Sequence, residues 1–223
     1  MSPKREISEI RREELTLAAM KCIALKGYDN VTLDDVTKEA GLSKGISTYY
    51  FKNRQELLNS VIQRMWQNIV DISRGIWNLP DKIDDEKTVY AQVKKYYSDP
   101  NTDLQEVIQN GIKFLLAWFD ENPLILKVVL EFWCQIPRNP MISKLFQLTE
   151  PYIRNVSSII IQEGIKRGVF KKRDPKRAAY VLTSAISGIA FTQIVNNGEY
   201  NHKTLEKDLC DFAFGYLLSQ PQC

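Results

Sequence analysis

The segment from Lys44 to Arg54 combines cationic side chains with hydroxyl and phenol groups, and no acidic residue lies between Glu39 and Glu56. Lysine and arginine bind phosphate groups, while hydroxyls and phenols reach phosphate oxygens or base edges. The local field is therefore positive, although the whole chain has a formal net charge of only +3. These residues indicate a surface for double-stranded DNA, whose candidate contacts are Thr32, Ser43, Lys44, Gly45, Thr48, Tyr49, Tyr50, Lys52 and Arg54.

The chain around this segment carries the end signals of two short helices. Thr32 can cap the first helix, with Asp35 three residues later as its capping-box partner, and Gly41 supplies the left-handed turn that ends it. Ser43 can then cap a second helix, which we predict over residues 44–50. Two helices joined by a turn of about three residues are typical of a helix-turn-helix.

The helical repeat predicts which side of the second helix faces outward. Residues i and i+4 share a face, which places Lys44, Gly45, Thr48 and Tyr49 on the outer side. Lys44 is a cation for phosphate or guanine, Thr48 is a small donor and acceptor, and Gly45 lets the backbone approach a duplex closely. The direction of Ser47 stays open, since it either packs inward or offers its hydroxyl to DNA.

A third helix follows directly. We expect Phe51 to anchor the second helix in the core, and Asn53 to cap the third helix with Glu56 as its capping-box partner. Arg54 falls in the first turn, where a cation opposes the helix dipole. A phosphate bound by Arg54 and by the free backbone amides would explain that placement, and a solvated arginine is the alternative.

This segment resembles the N-terminal helix-turn-helix of the TetR/AcrR-type transcriptional regulators, most strongly over residues 11–60. Two positions depart from the family pattern, which often has an apolar residue at Ser47 and commonly a lysine at Arg54. The Tyr-Tyr-Phe form also resembles the branch with choline-responsive repressors, without assigning a ligand. The residues that carry the resemblance are Thr32, Ala40-Gly41, Ser43-Lys44-Gly45, Tyr49-Tyr50-Phe51, Arg54 and Leu57-Leu58.

The resemblance implies an all-α protein with an N-terminal three-helix DNA-binding domain and a larger C-terminal helical domain for ligand binding and dimerisation. We expect a helix-turn-helix domain over residues 1–53, a linking helix over 54–78 and the effector and dimerisation domain over 79–223. The implied function is a homodimeric repressor, released from a palindromic operator when a small molecule binds the C-terminal domain. A transcriptional activator and a constitutive DNA-binding or scaffold protein without a pocket remain alternatives.

The remaining helices follow from apolar periodicity, proline and glycine. Residues 79–101 carry a hint of an added helix, which we interpret as a connection in preference to a lid over the pocket. Asn122-Pro123 opens an apolar helix whose polar residues Lys127, Glu131 and Gln135 recur every four positions, and we expect it to be buried nearly all round. The other helices are predicted over residues 8–26, 54–77, 103–121, 140–167, 175–197 and 203–218.

The last two predicted helices resemble the four-helix dimer interface of the family, because small residues let helices approach closely. Ordinary packing within one chain is the alternative. The interface set is Ala178, Ala179, Ser184, Ala185, Ser187, Gly188 and Ala190 on one helix and Leu205, Leu209, Phe212 and Tyr216 on the other.

An effector cavity in the C-terminal domain is implied by the family, and aromatic side chains on the linking helix and on neighbouring helices are its candidate lining. Such a lining suits a flat apolar molecule or a cation, and Glu131 could neutralise the latter. Aromatic residues at helical spacing are also ordinary core residues. The candidates are Trp66, Phe114, Trp118, Phe132 and Trp133.

The residue inventory argues against an enzyme or a metalloprotein. His202 is the only histidine, and the sequence has no Gly-rich phosphate loop and no paired metal-ligand spacing, so we predict no catalytic residue, metal or cofactor. The four cysteines are scattered without a CxxC pair. The polar start and the short aliphatic runs predict a cytoplasmic protein with no membrane partner.

Overall fold

The computed structural model describes residues 3–77, 86–196 and 200–218. Within these ranges the chain is all-α, as predicted, with ten α-helices, one 3-10 turn at Tyr28–Asn30 and an isolated antiparallel bridge between Phe170 and Leu218. The helices are α1 (Pro3–Lys26), α2 (Leu33–Glu39), α3 (Ile46–Tyr50), α4 (Arg54–Trp77), α5 (Glu86–Tyr97), α6 (Leu104–Glu121), α7 (Pro123–Gln135), α8 (Pro140–Lys166), α9 (Pro175–Val195) and α10 (His202–Leu217).

Helix starts agree with the sequence where a capping residue acts locally. The Asn53 side chain accepts a hydrogen bond from the Glu56 N–H at 2.9 Å, so α4 begins at Arg54 as predicted. Asp174 accepts one from the Arg177 N–H at 3.0 Å, and this bond lowers the pKa of Asp174. Pro175 then opens α9.

Residues 1–68 and 122–146 form one compact unit, which we call the N-terminal unit. Its core joins α1, α2, the start of α4 and α7, because α1 packs against both α2 and α7. Phe51 is completely buried there, as predicted. The other fully buried side chains of this core include Leu15, Ile23, Val36, Leu57, Leu58 and Phe132.

Residues 69–121 and 147–223 form the second compact unit, the C-terminal unit. Its core includes α5, since Val93 and Tyr97 are 0% and 1% exposed among side chains of α6, α8, α9 and α10. Burial raises the pKa of Tyr97. The predicted connection over 79–101 therefore contains a helix that belongs to the core, while residues 78–85 lie outside the described part of the chain.

This division differs from the predicted boundaries at residues 53 and 78. The difference arises because α7 packs on α1, which places residues 122–146 with the N-terminal unit although they follow the C-terminal helix α6 in the sequence. The expected burial of α7 is also corrected. Trp133 is 39% exposed and Cys134 is exposed, whereas Gln135 of the predicted polar stripe is buried.

Candidate nucleic-acid interface

The first helix of the predicted helix-turn-helix starts with the predicted capping box. The Thr32 hydroxyl accepts a hydrogen bond from the Asp35 N–H at 3.1 Å, and the Asp35 carboxylate accepts one from the Thr32 N–H at 3.1 Å. Lys26 also donates to this carboxylate. The Lys26 bond, and next those from Thr32, lower the pKa of Asp35 to about 2. The exposed Thr32 therefore fixes the start of α2.

The turn between α2 and α3 depends on two glycines. Gly41 has φ +66°, the left-handed conformation predicted for it. Ser43 does not cap the next helix as predicted, because α3 begins two residues later than expected, at Ile46. Gly45 occupies the N-cap position with φ +87°, and no side-chain cap is formed. Gly45 is therefore required first for its backbone conformation.

The phase of α3 agrees with the predicted outer side. Lys44, Gly45 and Thr48 are exposed, and the Tyr49 side chain is 76% exposed. Ser47 settles the open question by facing inward, where it is 1% exposed and its hydroxyl lies 2.7 Å from that of Thr37. This hydrogen bond joins the buried hydroxyl groups of α2 and α3, and so it helps to set the orientation of α3 relative to α2.

The Thr48 side chain is partly committed to its own backbone. Its hydroxyl donates to the Gly45 carbonyl at 2.6 Å, which leaves the oxygen lone pairs and the methyl group facing outward. Tyr49 packs edge-on against Tyr50, with ring centroids 5.0 Å apart. The side chain of Lys52 is exposed, and its backbone N–H donates to Glu56 at 2.8 Å.

Arg12 has a structural role in this interface that the sequence pattern did not predict. Its guanidinium donates to the Tyr50 carbonyl and to the Glu56 carboxylate, the latter at 3.2 Å, and lies 4.4 Å from the centre of the Phe51 ring. It thereby ties α1 to the end of α3. No local pattern could have revealed it, since its partners lie 38 and 44 residues away.

Arg54 has partners other than the predicted phosphate. Its Nε donates to the Val31 carbonyl at 2.8 Å, another guanidinium nitrogen donates to the Tyr28 carbonyl, and the guanidinium lies 5.4 Å from the centre of the Tyr28 ring. The cation is stable at this helix start because two carbonyl oxygens and an aromatic face offset the helix dipole. Arg54 thus stabilises the turn at residues 28–31.

Helix α7 holds the same turn from the other side. The Glu131 carboxylate accepts a hydrogen bond from the Tyr28 N–H at 2.9 Å, and Gln135 donates to Asp29 at 2.9 Å. Asn139, just after α7, donates to the Tyr28 phenol oxygen at 2.8 Å. Glu131 is therefore a structural partner of the turn at residues 28–31.

The predicted aromatic lining residues are divided between the two units, with Trp66, Phe132 and Trp133 in the N-terminal unit and Phe114 and Trp118 in the C-terminal unit. Phe132 is completely buried against Tyr28, with ring centroids 5.7 Å apart, and Trp133 lies against Phe146 in the same unit. Trp66 is 39% exposed on α4. Trp118 pairs with the neighbouring Phe119, and Phe114 packs against α4. On α6, Phe114 and Trp118 lie on a different face from Ile108, Ile112 and Leu115, which line a cavity in the C-terminal unit.

A cavity does lie within the C-terminal unit, between α6, α8, α9 and α10. Its volume is about 80 Å³, and it is partly open to solvent. The described residues that line it are Ile108, Gly111, Ile112 and Leu115 of α6, Ile153, Ser157, Ile160 and Ile161 of α8, Leu182, Thr183 and Ile186 of α9, and Leu209 and Ala213 of α10.

The cavity-lining helix α6 also touches α4 inside the C-terminal unit. A Cβ atom added to Gly75 would lie 2.2 Å from the tip of the Phe114 ring, so this ring rests directly on the α4 backbone. Leu115, the next residue of α6, lines the cavity. The same short stretch of α6 therefore lines the cavity and contacts α4. Helix α4 starts directly after α2 and α3, the two helices (residues 33–50) that we call the reading head.

Two family descriptions match the chain. Residues 15–61 match the bacterial regulatory proteins of the TetR family, and residues 105–216 match the C-terminal domain of BetI-type transcriptional repressors. The chain belongs to the TetR family. Family membership confirms a helix-turn-helix, DNA-binding transcriptional regulator rather than an enzyme, and it confirms the resemblance and the fold class drawn from residues 32–58.

Similar proteins extend this finding over the whole chain. The transcriptional regulator BetI of Klebsiella pneumoniae is 24% identical over 223 residues, which covers 98% of this chain and 100% of BetI. A regulator from Saccharomonospora viridis solved in complex with choline has a TM-score of 0.66 at 20% identity, covering 95% and 100% of the two chains. SmeT of Stenotrophomonas maltophilia, solved with triclosan, has a TM-score of 0.64 at 16% identity, covering 94% and 92%.

The predicted dimer face is only partly available in this TetR-family chain. Ala178, Ala179, Ala190 and Leu209 are buried within the single chain, so they form part of its own core. One face of α9 remains exposed, and it carries Tyr180, Ser184, Gly188, Thr192 and Val195 at helical spacing. Phe212 of α10 is also 47% exposed.

Helix α9 is also long and apolar enough to cross a membrane by length and composition alone, and most of its apolar residues are not buried. It is the single helix with these properties among the described residues.

Proposed function

We propose that this protein is a homodimeric transcriptional repressor that acts in the cytoplasm, binds a palindromic operator and is released when a small molecule occupies the C-terminal unit. The observation that carries the proposal is the exposed outer side of α3, where Lys44, Thr48 and Tyr49 stand out from a helix pair fixed by buried Ser47. In domain terms, residues 1–53 read DNA, 54–78 link, and 79–223 bind effector and partner, except that residues 122–146 pack in the N-terminal unit and support the turn at residues 28–31.

The reading step uses groups of two kinds. Lys44 and Lys52 supply charge for phosphates, whereas Thr48 presents a methyl group and an acceptor oxygen to base edges. Tyr49 and Tyr50 add phenols that reach the backbone, and Thr32 and Ser43 lie at the approach to the two helices. Arg54 contributes indirectly, by holding the turn at residues 28–31.

Dimerisation follows from the geometry of DNA. Two reading helices must meet successive major grooves about 34–36 Å apart to read a palindrome. The exposed face of α9 suits a second copy, since a Cβ added at Gly188 meets nothing within 4 Å, and small side chains permit close helix packing. A two-fold pair of α9 and α10 helices would cover the apolar surface that one protomer leaves open.

Release requires a path from the cavity to the reading head. Leu115 faces the cavity, its neighbour Phe114 rests on Gly75, and α4 runs from Gly75 back to Arg54. An effector that displaces α6 therefore pushes on α4, provided that it binds the released conformation more tightly than the DNA-bound one. The neighbours solved with choline and with triclosan support a ligand site in this fold.

The sign of regulation is tested in cells with a reporter gene placed behind a fragment that the protein binds. Repression predicts lower reporter expression with the wild-type chain and normal expression with Lys44→Ala. Increased expression would identify an activator, and expression that no small molecule alters would favour a constitutive DNA-binding protein.

A further inference from the structure

We propose that the cavity of the C-terminal unit takes an uncharged aliphatic molecule bearing a hydroxyl group, and that it excludes quaternary ammonium ions. The inference rests on the proposed function, because it names the chemical class of that effector. The cavity lining differs from the aromatic or cation-binding lining that the sequence predicts.

The lining is almost entirely aliphatic. Isoleucine and leucine side chains contributed by four helices surround the empty space, among them Ile112, Ile160, Ile186 and Leu209. Such a surface binds alkyl groups through the hydrophobic effect, at roughly 0.8 kcal/mol for each buried methylene. This increment corresponds to a three- to fourfold gain in affinity per carbon.

The lining offers nothing to a cation. No charged residue and no aromatic ring is present among the described residues that line the cavity. A quaternary ammonium ion in proteins is held by aromatic faces or carboxylates, and its burial without them carries a large desolvation cost. Glu131, the acid that the sequence analysis considered for this role, is bonded to Tyr28 in the N-terminal unit.

Two hydroxyl groups in the lining determine which polar group of a ligand can bind in the cavity. Ser157 donates to the Ile153 carbonyl at 3.0 Å, and Thr183 donates to the Ala179 carbonyl at 2.9 Å. Because each proton is already bonded within its own helix, the oxygen lone pairs can accept from a ligand without breaking these bonds. A ligand hydroxyl satisfies them as a donor, whereas a ketone brings a second acceptor.

The test titrates the purified full-length protein with primary alcohols from 1-butanol to 1-octanol by calorimetry, with 2-octanone and choline chloride as comparison ligands. We expect one site per chain, affinity rising about three- to fourfold per methylene, and 1-octanol binding about two- to tenfold more tightly than 2-octanone. Choline should give no heat beyond a sodium chloride control. A flat alcohol series, or choline binding more tightly than 1-octanol, overturns the assignment, and tighter binding of the ketone overturns its hydroxyl part.

A matched pair of variants tests whether 1-octanol binds in this cavity. Ile153→Phe should fill the cavity and weaken 1-octanol binding at least tenfold, while Ile159→Phe, on the same helix but outside the lining, should bind as the wild type does. Equal loss in both variants contradicts the location. DNA affinity measured on the same samples without alcohol tests the regulator proposal separately, because the cavity assignment is decided by the wild-type titration alone.

Discussion

The Glu131 carboxylate accepts a hydrogen bond from the Tyr28 backbone N–H at 2.9 Å, across 103 positions of the sequence. Tyr28 opens the 3-10 turn whose carbonyl oxygens Arg54 holds from the other side. The turn that supports the reading head is thus fixed by α4 and by α7, and α7 follows the cavity-lining helix α6 after a single residue, Asn122.

Removing the hydrogen bond between Glu131 and the Tyr28 N–H should destabilise the N-terminal unit. Glu131→Ala leaves the Tyr28 N–H without its partner, and we expect the free energy of unfolding to fall by about 1–3 kcal/mol. Urea denaturation followed by circular dichroism measures the change. Lys127→Ala, one turn earlier on α7 and exposed, is the control and should stay within about 0.5 kcal/mol of wild type. Equal stability of the two variants would show that the contact contributes nothing.

Lys44 should contribute affinity without sequence preference. Lys44→Ala removes a phosphate contact, so binding should weaken on all DNA sequences and the slope of log K against log salt should become less negative by about 1. Fluorescence anisotropy at several salt concentrations gives the slope. Lys113→Ala, exposed on α6, removes the same charge far along the chain from the reading head and should leave the slope unchanged. A normal slope for Lys44→Ala would place Lys44 outside the interface.

Thr48 should instead contribute to the choice of base. Thr48→Ala removes the acceptor oxygen and should change the preferred base at one position of each half-site, by about 1–3 kcal/mol of discrimination. Thr48→Ser keeps the oxygen and the bond to the Gly45 carbonyl, which makes it the matched control. Competition between operator variants reads out the preference. If Thr48→Ala selects the same bases as wild type, α3 does not present this residue to the groove.

The exposed face of α9 should hold two copies together. Gly188→Glu places a charge on that face, and it costs no helix propensity because glycine is the weaker helix former. Light scattering should report a dimer for wild type and a monomer for the variant, with operator affinity lost at the same time. Gln109→Glu, exposed on α6, adds the same charge outside the face and should remain dimeric. A dimeric Gly188→Glu protein would locate the interface elsewhere.

Asp35 should give the reading head a defined response to acid. Its pKa is lowered to about 2 by bonds from Lys26 and Thr32, whereas an unfolded aspartate titrates near ~3.9. A depressed pKa means that the stabilisation is fully present above about pH 4 and is lost as the pH falls toward 2. Thermal unfolding of wild type and Asp35→Asn should therefore differ at pH 6 and converge between pH 4 and about pH 2. A difference that persists unchanged at low pH would mean that the charge of Asp35 is not responsible.

The sequence predicted those features of the fold that depend on neighbours in the chain. The Thr32–Asp35 capping box, the left-handed Gly41 and the Asn53 cap that starts α4 at Arg54 each involve residues within three positions, so the pattern contains all the information. The start of α3 was misplaced by two residues because serine and glycine both favour N-cap positions, and only the φ of Gly45 separates them.

The features that the sequence did not predict depend on distant partners. Arg54 looked like a free cation at a helix start, yet its carbonyl partners lie 23 and 26 residues earlier. Phe132 looked like a pocket aromatic, yet α7 turns it toward Tyr28. Periodicity gives the apolar face of a helix but not the helix that packs on it, and so the aliphatic cavity could not be assigned from spacing.

The most direct measurement is selection of bound fragments from sheared genomic DNA at physiological salt, followed by sequencing. A dimeric regulator should enrich a palindromic site whose half-sites are centred about one helical turn or a small multiple of it apart, and Gly188→Glu should not enrich that site. Recovery of only diffuse, salt-sensitive fragments, equally well by both proteins, would contradict a dimeric regulator that reads a specific operator.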